Sequence, residues 1–484
     1  MMRTDRAGLW GALVVPAALA VLVALSLAIN PARLFPLDDA YITLENARIL
    51  LGGSDPSYGT GAPMAATSVL HLALLAGLGR VLPLVVANHA LMVAAAALYA
   101  AGLFRLLRAV GGDRLVATTG TLAGLTAGAA WFQLMNGLET GLAMAAVSWV
   151  AVLLVTRRFV PLALMAGFLP MLRPELALLS LTLGLAAVWE FRVAPRRLVP
   201  LAGLAAVGLA GAAGLALLIT GSLWPATAGA KTAFFAEAGQ PLFVKYGIVA
   251  LVLLTGALTP ILLGLVVLHR VPRGWALGLF ALLFLAAAGW SLPGGLVHND
   301  SRYLYILLPL GMAGLAAVAA GHRLLRAGFV VLAGGYLLAF PVHGWPTYRA
   351  GLAVTAGQEA LAAWARKSLP ADARILIHDA GYIAWRTDFA LVDLVGLKTP
   401  SSVPVHRAIT LPSNGRSRGQ AVARIAASAE VSHAIIHDDP FWGIAADGLR
   451  DAGWRLDPLR PDAPGGYRIY ALTPPDPAEG DSTP

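Results

Sequence analysis

The chain has 484 residues, of which 58% are hydrophobic and only 13% charged, with a mean hydropathy of +0.72. That composition excludes an ordinary soluble globule and implies a polytopic membrane protein. Cysteine is absent, which rules out disulfides and thiolate metal sites. The net charge of +9 does not signal nucleic acid, because the arginines of the apolar part sit in short clusters between apolar segments, as orientation signals do.

Arg3 and Arg6 precede the first apolar segment, 9–29. This segment is long enough to span and longer than the h-region of a signal peptide, so an uncleaved first span with a cytoplasmic N-terminus is expected. Residues 30–85 form a first outer loop that opens on Leu37-Asp38-Asp39-Ala40-Tyr41-Ile42. Its stretch 67–82 is apolar but short and interrupted by Arg80, so it reads as a juxtamembrane helix lying on the outer surface. Further spans are expected at 86–104, 115–132, 138–156, 159–172, 176–190, 198–219, 246–268, 274–291, 303–320 and 327–342. With that assignment every arginine cluster, from Arg105 and Arg108 to Arg323 and Arg326, falls on the cytoplasmic side. Counting 67–82 as a span puts all the later clusters outside, so the positive-inside rule selects about eleven spans. Residues 1–343 are then the membrane domain, and 344–474 lie outside. Strand signals at 374–378, 389–397, 433–437 and 467–472, with helical ones at 358–368 and 420–429, point to a small α/β domain. The end, 475–484, is rich in proline and acid and reads as disordered.

Two adjacent carboxylates at the edge of a membrane span are costly and mark a functional site. Asp38 and Asp39 could instead cap the helix that follows, but two acids exceed what one cap needs. Adjacent residues point in different directions on a helix or strand, so one is read as a base and the other as a metal ligand or cap. Asn136-Gly137-Leu138-Glu139-Thr140, Arg173-Pro174-Glu175, Lys231 and His298-Asn299-Asp300-Ser301-Arg302-Tyr303 all fall in outer loops or at outer span ends. The plain readings of these are a turn with a dipole-favoured Glu, a span boundary, a headgroup anchor and an interfacial pair. No HExxH or comparable cluster is present, and His378, His433 and His437 read as ordinary domain residues. A transporter or flippase of a lipid-linked glycan, the alternative function, places polar groups at mid-bilayer. Here they collect at the outer interface, which favours a reaction site.

In the order of these features the chain resembles the integral-membrane GT-C glycosyltransferases. Asp38-Asp39-Ala40-Tyr41-Ile42, Asn136-Gly137-Leu138-Glu139-Thr140, Arg173-Pro174-Glu175, Arg302-Tyr303 and Val392-Asp393-Leu394-Val395-Gly396-Leu397 resemble the subgroup that includes the terminal β-(1→2)-arabinofuranosyltransferase. A departure is Thr67-Ser68-Val69-Leu70, where that subgroup tends to carry Thr-Ser-Pro-Leu. The resemblance implies a polyprenyl-phosphate sugar donor such as an arabinofuranosyl lipid, a glycan or lipid acceptor, and inversion at a bacterial inner membrane, with no nucleic acid involved. It implies Asp38 as base with Asp39 second, and Arg302, Lys231 and Arg173 on the donor phosphate. Glu139, Asn136, Tyr41 and His298 would hold the sugar. Asp39 and Glu139 are the ligands if a divalent cation (calcium, magnesium or manganese) is used. The prenyl cleft is expected between spans near loop 220–244.

Overall fold

The computed structural model describes residues 6–223, 226–460 and 464–475. Arg3 and residues 476–484 of the expected disordered end lie outside the described residues. Apolar helices form where the sequence places spans, among them Arg6–Ile29, Leu84–Ala109, Thr140–Val155, Phe159–Leu172, Leu198–Thr220, Gly274–Ser291 and Arg323–Ala339. Helices Phe159–Leu172 and Leu198–Thr220 cross with touching backbones: a Cβ on Gly167 would lie 2.3 Å from the Ala205 carbonyl, and one on Gly208 would lie 2.6 Å from that of Leu164. Small residues permit such crossings in lipid.

Two expected spans are corrected. That at 115–132 stops at Thr126 and resumes as the short helix Ala130–Leu134. Gly128 (φ +54°) makes the turn, and the Ala129 N–H donates to the Tyr305 hydroxyl at 2.6 Å. The segment expected at 246–268 is Leu242–Thr255 followed, after a bend of 102°, by Thr259–Leu265. Pro260 has no N–H with which to continue the first helix. Among the described residues, length and apolarity qualify five helices for a crossing, or six if the bent pair is one span, against the eleven expected. Val69–Gly79 has 11 residues, too few to span, and packs on Asp39–Leu50 and Leu84–Ala109.

Beyond the membrane helices lies a five-stranded sheet: β1 (Arg374–Ile377), β2 (Ala390–Asp393), β3 (His433–His437), β4 (Arg455–Arg460) and β5 (Tyr467–Thr473), in the order β2-β1-β3-β5-β4. β1 pairs in parallel with β2 and β3, whereas β5 is antiparallel to β3 and β4. β4 escapes sequence reading because Pro458 interrupts it, which an edge strand tolerates. The helix expected at 358–368 is the end of Gly344–Ser368. That helix starts against the membrane part, where a Cβ on Gly351 would meet Pro36 and Phe132.

The first loop and the sheet domain are stitched together. Lys398 Nζ sits 2.8 Å from Asp55 Oδ2, both side chains fully buried, and lies over the Tyr58 ring. The Leu391 N–H donates to Ser57 O (2.8 Å), and the Tyr58 hydroxyl donates to Ala380 O (3.2 Å). Removing one partner of a buried ion pair strands the other charge, at a cost of about 3–5 kcal/mol. Lys398→Ala is therefore expected to lower the unfolding stability of the detergent-purified protein by that order and to expose the sheet domain to protease. Wild-type protease resistance in the variant would count against the stitch.

Candidate active site

Asp38 and Asp39 start the helix Asp39–Leu50. The Asp38 side chain does not cap this helix. Instead its Oδ2 accepts the Gly381 N–H and its Oδ1 the Tyr382 N–H, each at 2.7 Å. The approach depends on glycine: a Cβ at Gly381 would lie 2.2 Å from the Asp38 carbonyl oxygen. Gln358 Nε2 donates to Asp38 Oδ1 (3.3 Å), Asp379 Oδ2 (3.4 Å) and the Tyr467 hydroxyl (2.7 Å), and that hydroxyl donates to Asp379. Burial and the nearby Asp379 carboxylate push the Asp38 carboxyl well above the usual carboxylate range, against the lowering effect of the two backbone N–H groups.

Asp39, about 100° further round the same helix, faces elsewhere. Its Oδ2 lies 3.3 Å from Arg302 Nη1. Burial works to raise its carboxyl, but the charges of Lys231 and Arg302 outweigh burial and hold it below the ordinary value. Arg302 is thrown inward by three consecutive left-handed residues, Asn299 (φ 51°), Asp300 (φ 54°) and Ser301 (φ 61°). A left-handed turn of side-chain-bearing residues is strained and persists where its surroundings impose it; here Gln133 Nε2 donates to the Asn299 carbonyl at 2.8 Å.

Two cavities meet at Asp39, Lys231 and Tyr303. The smaller, about 60 Å³, is lined by Arg173, Arg302, Lys231, Glu139, Thr67 and Ser68 among others. The guanidinium carbons of Arg173 and Arg302 stand 4.8 and 5.3 Å from the centre of the Tyr303 ring. Arg173 is anchored on Glu175 (Nε to Oε1, 2.7 Å), while its buried Nη1 reaches no closer than 3.5 Å to Glu139 and makes no hydrogen bond. Buried, unused N–H donors beside a lysine suit an oxyanion such as phosphate. The larger cavity, about 920 Å³, is lined by Asp38, His298 and Asp300 on the membrane side and by His378, Asp379, His437, Asp439 and Tyr467 on the sheet side.

Seven of the expected site residues thus gather: Asp38, Asp39, Glu139, Arg173, Lys231, His298 and Arg302. Asn136 and Tyr41, expected on the sugar, line neither cavity. Asn136 is fully buried and holds its own turn, accepting the Leu138 N–H (2.9 Å) and donating to Gln133 and Thr140. The Tyr41 hydroxyl accepts the Phe35 N–H at 3.0 Å. The expected cation does not fit these residues as a protein-held ion: Asp39 and Glu139 each face a guanidinium. Among the described residues no three His, Asp or Glu side chains gather as ligands. Asp379, Gln358 and Tyr467 were missed by sequence reading, as were the cavity positions of His378 and His437. A signal existed: β1 and β3 both run out through Ile-His-Asp, at 377–379 and 436–438.

Residues 347–473 match a family model described as a domain of unknown function, DUF8728. No curated protein matches the chain. Among solved structures, the crystal structure of ArnT from Cupriavidus metallidurans bound to undecaprenyl phosphate is similar over 94% of this chain and 98% of its own, with a TM-score of 0.56 and 14% identity. The fold is therefore of the ArnT type, a multi-pass helical membrane part carrying a small C-terminal sheet.

The geometry of the Asp38 latch predicts that Gly381→Ala forces Asp38 off the 381–382 amides. Activity is expected to fall roughly tenfold or more, because a displacement of about 1 Å at a reacting group can cost that much, while detergent-solubilised yield stays near wild type. Unchanged activity in the variant would show that the latch is dispensable.

Proposed function

We propose that the protein is an inverting GT-C glycosyltransferase that moves a sugar from a polyprenyl-phosphate donor to a glycan or lipid acceptor. The observation that carries this reading is the junction at Asp39: a small cavity ringed by Arg173, Lys231 and Arg302 shares Asp39, Lys231, Tyr303 and Leu397 with a large one bearing Asp38. The ArnT-like fold supports a lipid-phosphate donor, that ArnT structure being bound to undecaprenyl phosphate.

The donor phosphate lies against Arg302, Lys231 and Arg173, whose charges stabilise the negative charge that develops as it leaves. Asp38, on the large cavity alone, is the general base. Its raised carboxyl pKa brings it nearer the working pH, and the Gly381 and Tyr382 amides fix its orientation. The acceptor oxygen attacks the anomeric carbon from the side opposite the phosphate, and its proton passes to Asp38. A new C–O bond forms, the bond to phosphate breaks with its electron pair on the phosphate oxygen, and the anomeric configuration inverts. Asp39, held by Arg302, and Glu139, beside Arg173, border the sugar between the two sides, and His298 lines the large cavity. An arabinofuranosyl lipid is the first donor to test. Phe235, Leu292 and Val297 on the large cavity supply the apolar wall for the prenyl chain near loop 220–244.

The site faces outward from a bacterial inner membrane in this proposal, and eleven crossings are reached by adding to the six that qualify by length and apolarity the helices Leu13–Ile29, Thr140–Val155, Phe159–Leu172 and Ala177–Glu190 and the broken span 114–134. Helix Thr140–Val155 starts beside Glu139 and ends, about 24 Å away, at Arg157, which with Arg273 pairs with Glu190. That basic end is the cytoplasmic one.

Asp38→Asn is expected to abolish release of polyprenyl phosphate from a polyprenyl-phosphate sugar in the presence of acceptor, with expression retained. Preserved transfer, or movement of labelled lipid across liposomes with no glycosidic bond formed, would remove the reading. The pH profile gives a signed test. Asp38 must be ionised to act, so kcat/KM falls as pH drops through its raised pKa. Asp379→Asn removes a nearby negative charge, lowers that pKa and moves the acid limb to lower pH; an unmoved limb means another group titrates.

A further inference from the structure

We infer that the sheet domain carries the acceptor subsite, a crevice at the carboxyl ends of β1 and β3 that takes an uncharged, hydroxyl-rich sugar unit. This deepens the proposed function and rests on it. The first argument is topological. From β1 the chain goes to β2 on one side and then to β3 on the other, both parallel to β1. The strand order therefore reverses between β1 and β3, and the crevice outside the carboxyl ends of strands at such a reversal is where open α/β sheets bind ligands. The residues there are His378 and Asp379 after β1, and His437 and Asp439 at the end of β3, all on the large cavity.

The second argument is unused polar capacity. His378 is 4% exposed and neither ring nitrogen makes a well-formed hydrogen bond, Nε2 standing 3.6 Å from Asp379 Oδ2. A buried imidazole left so is costly unless a ligand completes it. Asp439 is preset: Oδ1 accepts the Phe441 and Trp442 N–H groups at 2.8 and 2.9 Å, and Oδ2 pairs with His437 Nδ1 at 2.8 Å. Phe441, 41% exposed on the cavity, adds an aromatic ring to its wall, held in place by stacking on Phe235 (5.9 Å between centres).

Charge selects the ligand. Asp379 and Asp439 line the crevice, and Asp38, Glu237 and Asp300 stand elsewhere around the same cavity, whose cation Lys231 lies at the junction with the smaller one, so an anionic sugar in the crevice meets like charge. Hydroxyls suit the carboxylates, and the less polar ring face suits Phe441. Asp379 is two residues from Gly381, whose amide holds Asp38, so a sugar seated in this crevice presents a hydroxyl to the base.

The test uses the full chain in detergent, titrated with uncharged pentose and hexose oligosaccharides, with uronate-containing oligosaccharides, and separately with polyprenyl phosphate. Uncharged oligosaccharides are expected to bind the wild type, and Asp439→Asn and Phe441→Ala each to weaken that binding tenfold or more while polyprenyl phosphate binding is retained. The inference is overturned if no uncharged oligosaccharide binds, if the uronates bind as tightly, or if both variants bind like the wild type. Loss of the subsite with polyprenyl phosphate still bound leaves the glycosyltransferase reading standing. Oligosaccharide binding without polyprenyl phosphate binding removes that reading instead.

Discussion

Everything at the site depends on one pair of hydrogen bonds, from the Gly381 and Tyr382 amides to the carboxylate of Asp38. They join the first loop of the membrane part to a turn more than 340 residues later. Hydrogen bonds to an ionised acceptor are about twice as strong as neutral ones, and these two fix both the base and the docking of the sheet domain. The buried Asp55–Lys398 pair, the Ser57–Leu391 contact and the Tyr41–Tyr382 ring pair (4.5 Å between centres) hold the same seam. The large cavity exists only because the seam is closed, since its walls come from both sides.

The tandem aspartates look redundant in one dimension and are divided in three. A single residue step on a helix turns a side chain by about 100°, enough to give Asp38 to the sheet domain and Asp39 to Arg302 and Lys231. Their environments then push them apart. Asp38 meets another carboxylate and is raised, whereas Asp39 meets cations and is lowered. Two like groups with opposed surroundings are how a site separates a proton acceptor from a fixed negative charge.

The motifs behind the family resemblance resolve into mechanical parts. Gly137 (φ +81°) in Asn136-Gly137-Leu138-Glu139-Thr140 lets that turn press on Ala40 and Phe35, where a Cβ would come within 2.5 Å of Ala40 Cβ. This sets Glu139 beside Arg173. In Val392-Asp393-Leu394-Val395-Gly396-Leu397, Asp393 accepts the Val395 and Lys398 N–H groups at 2.8 Å and so aims Lys398 at Asp55. Several of these residues, Asn136 and Tyr41 among them, line neither cavity.

The sequence by itself determined the class of the molecule: apolar runs must become helices in lipid because no water is there to satisfy the backbone. It also located the basic clusters, the acidic loop, three of the strands closely, and seven of the residues that gather at the cavities. It could not show the bend after Thr255, the edge strand β4, or the roles of Asp379, Gln358 and Tyr467. The roles of these three residues arise from contacts between segments far apart in the chain. Hydropathy and periodicity report only what a segment needs from its immediate surroundings; which distant amide or carboxylate supplies a buried group is decided when the sheet domain closes on the first loop.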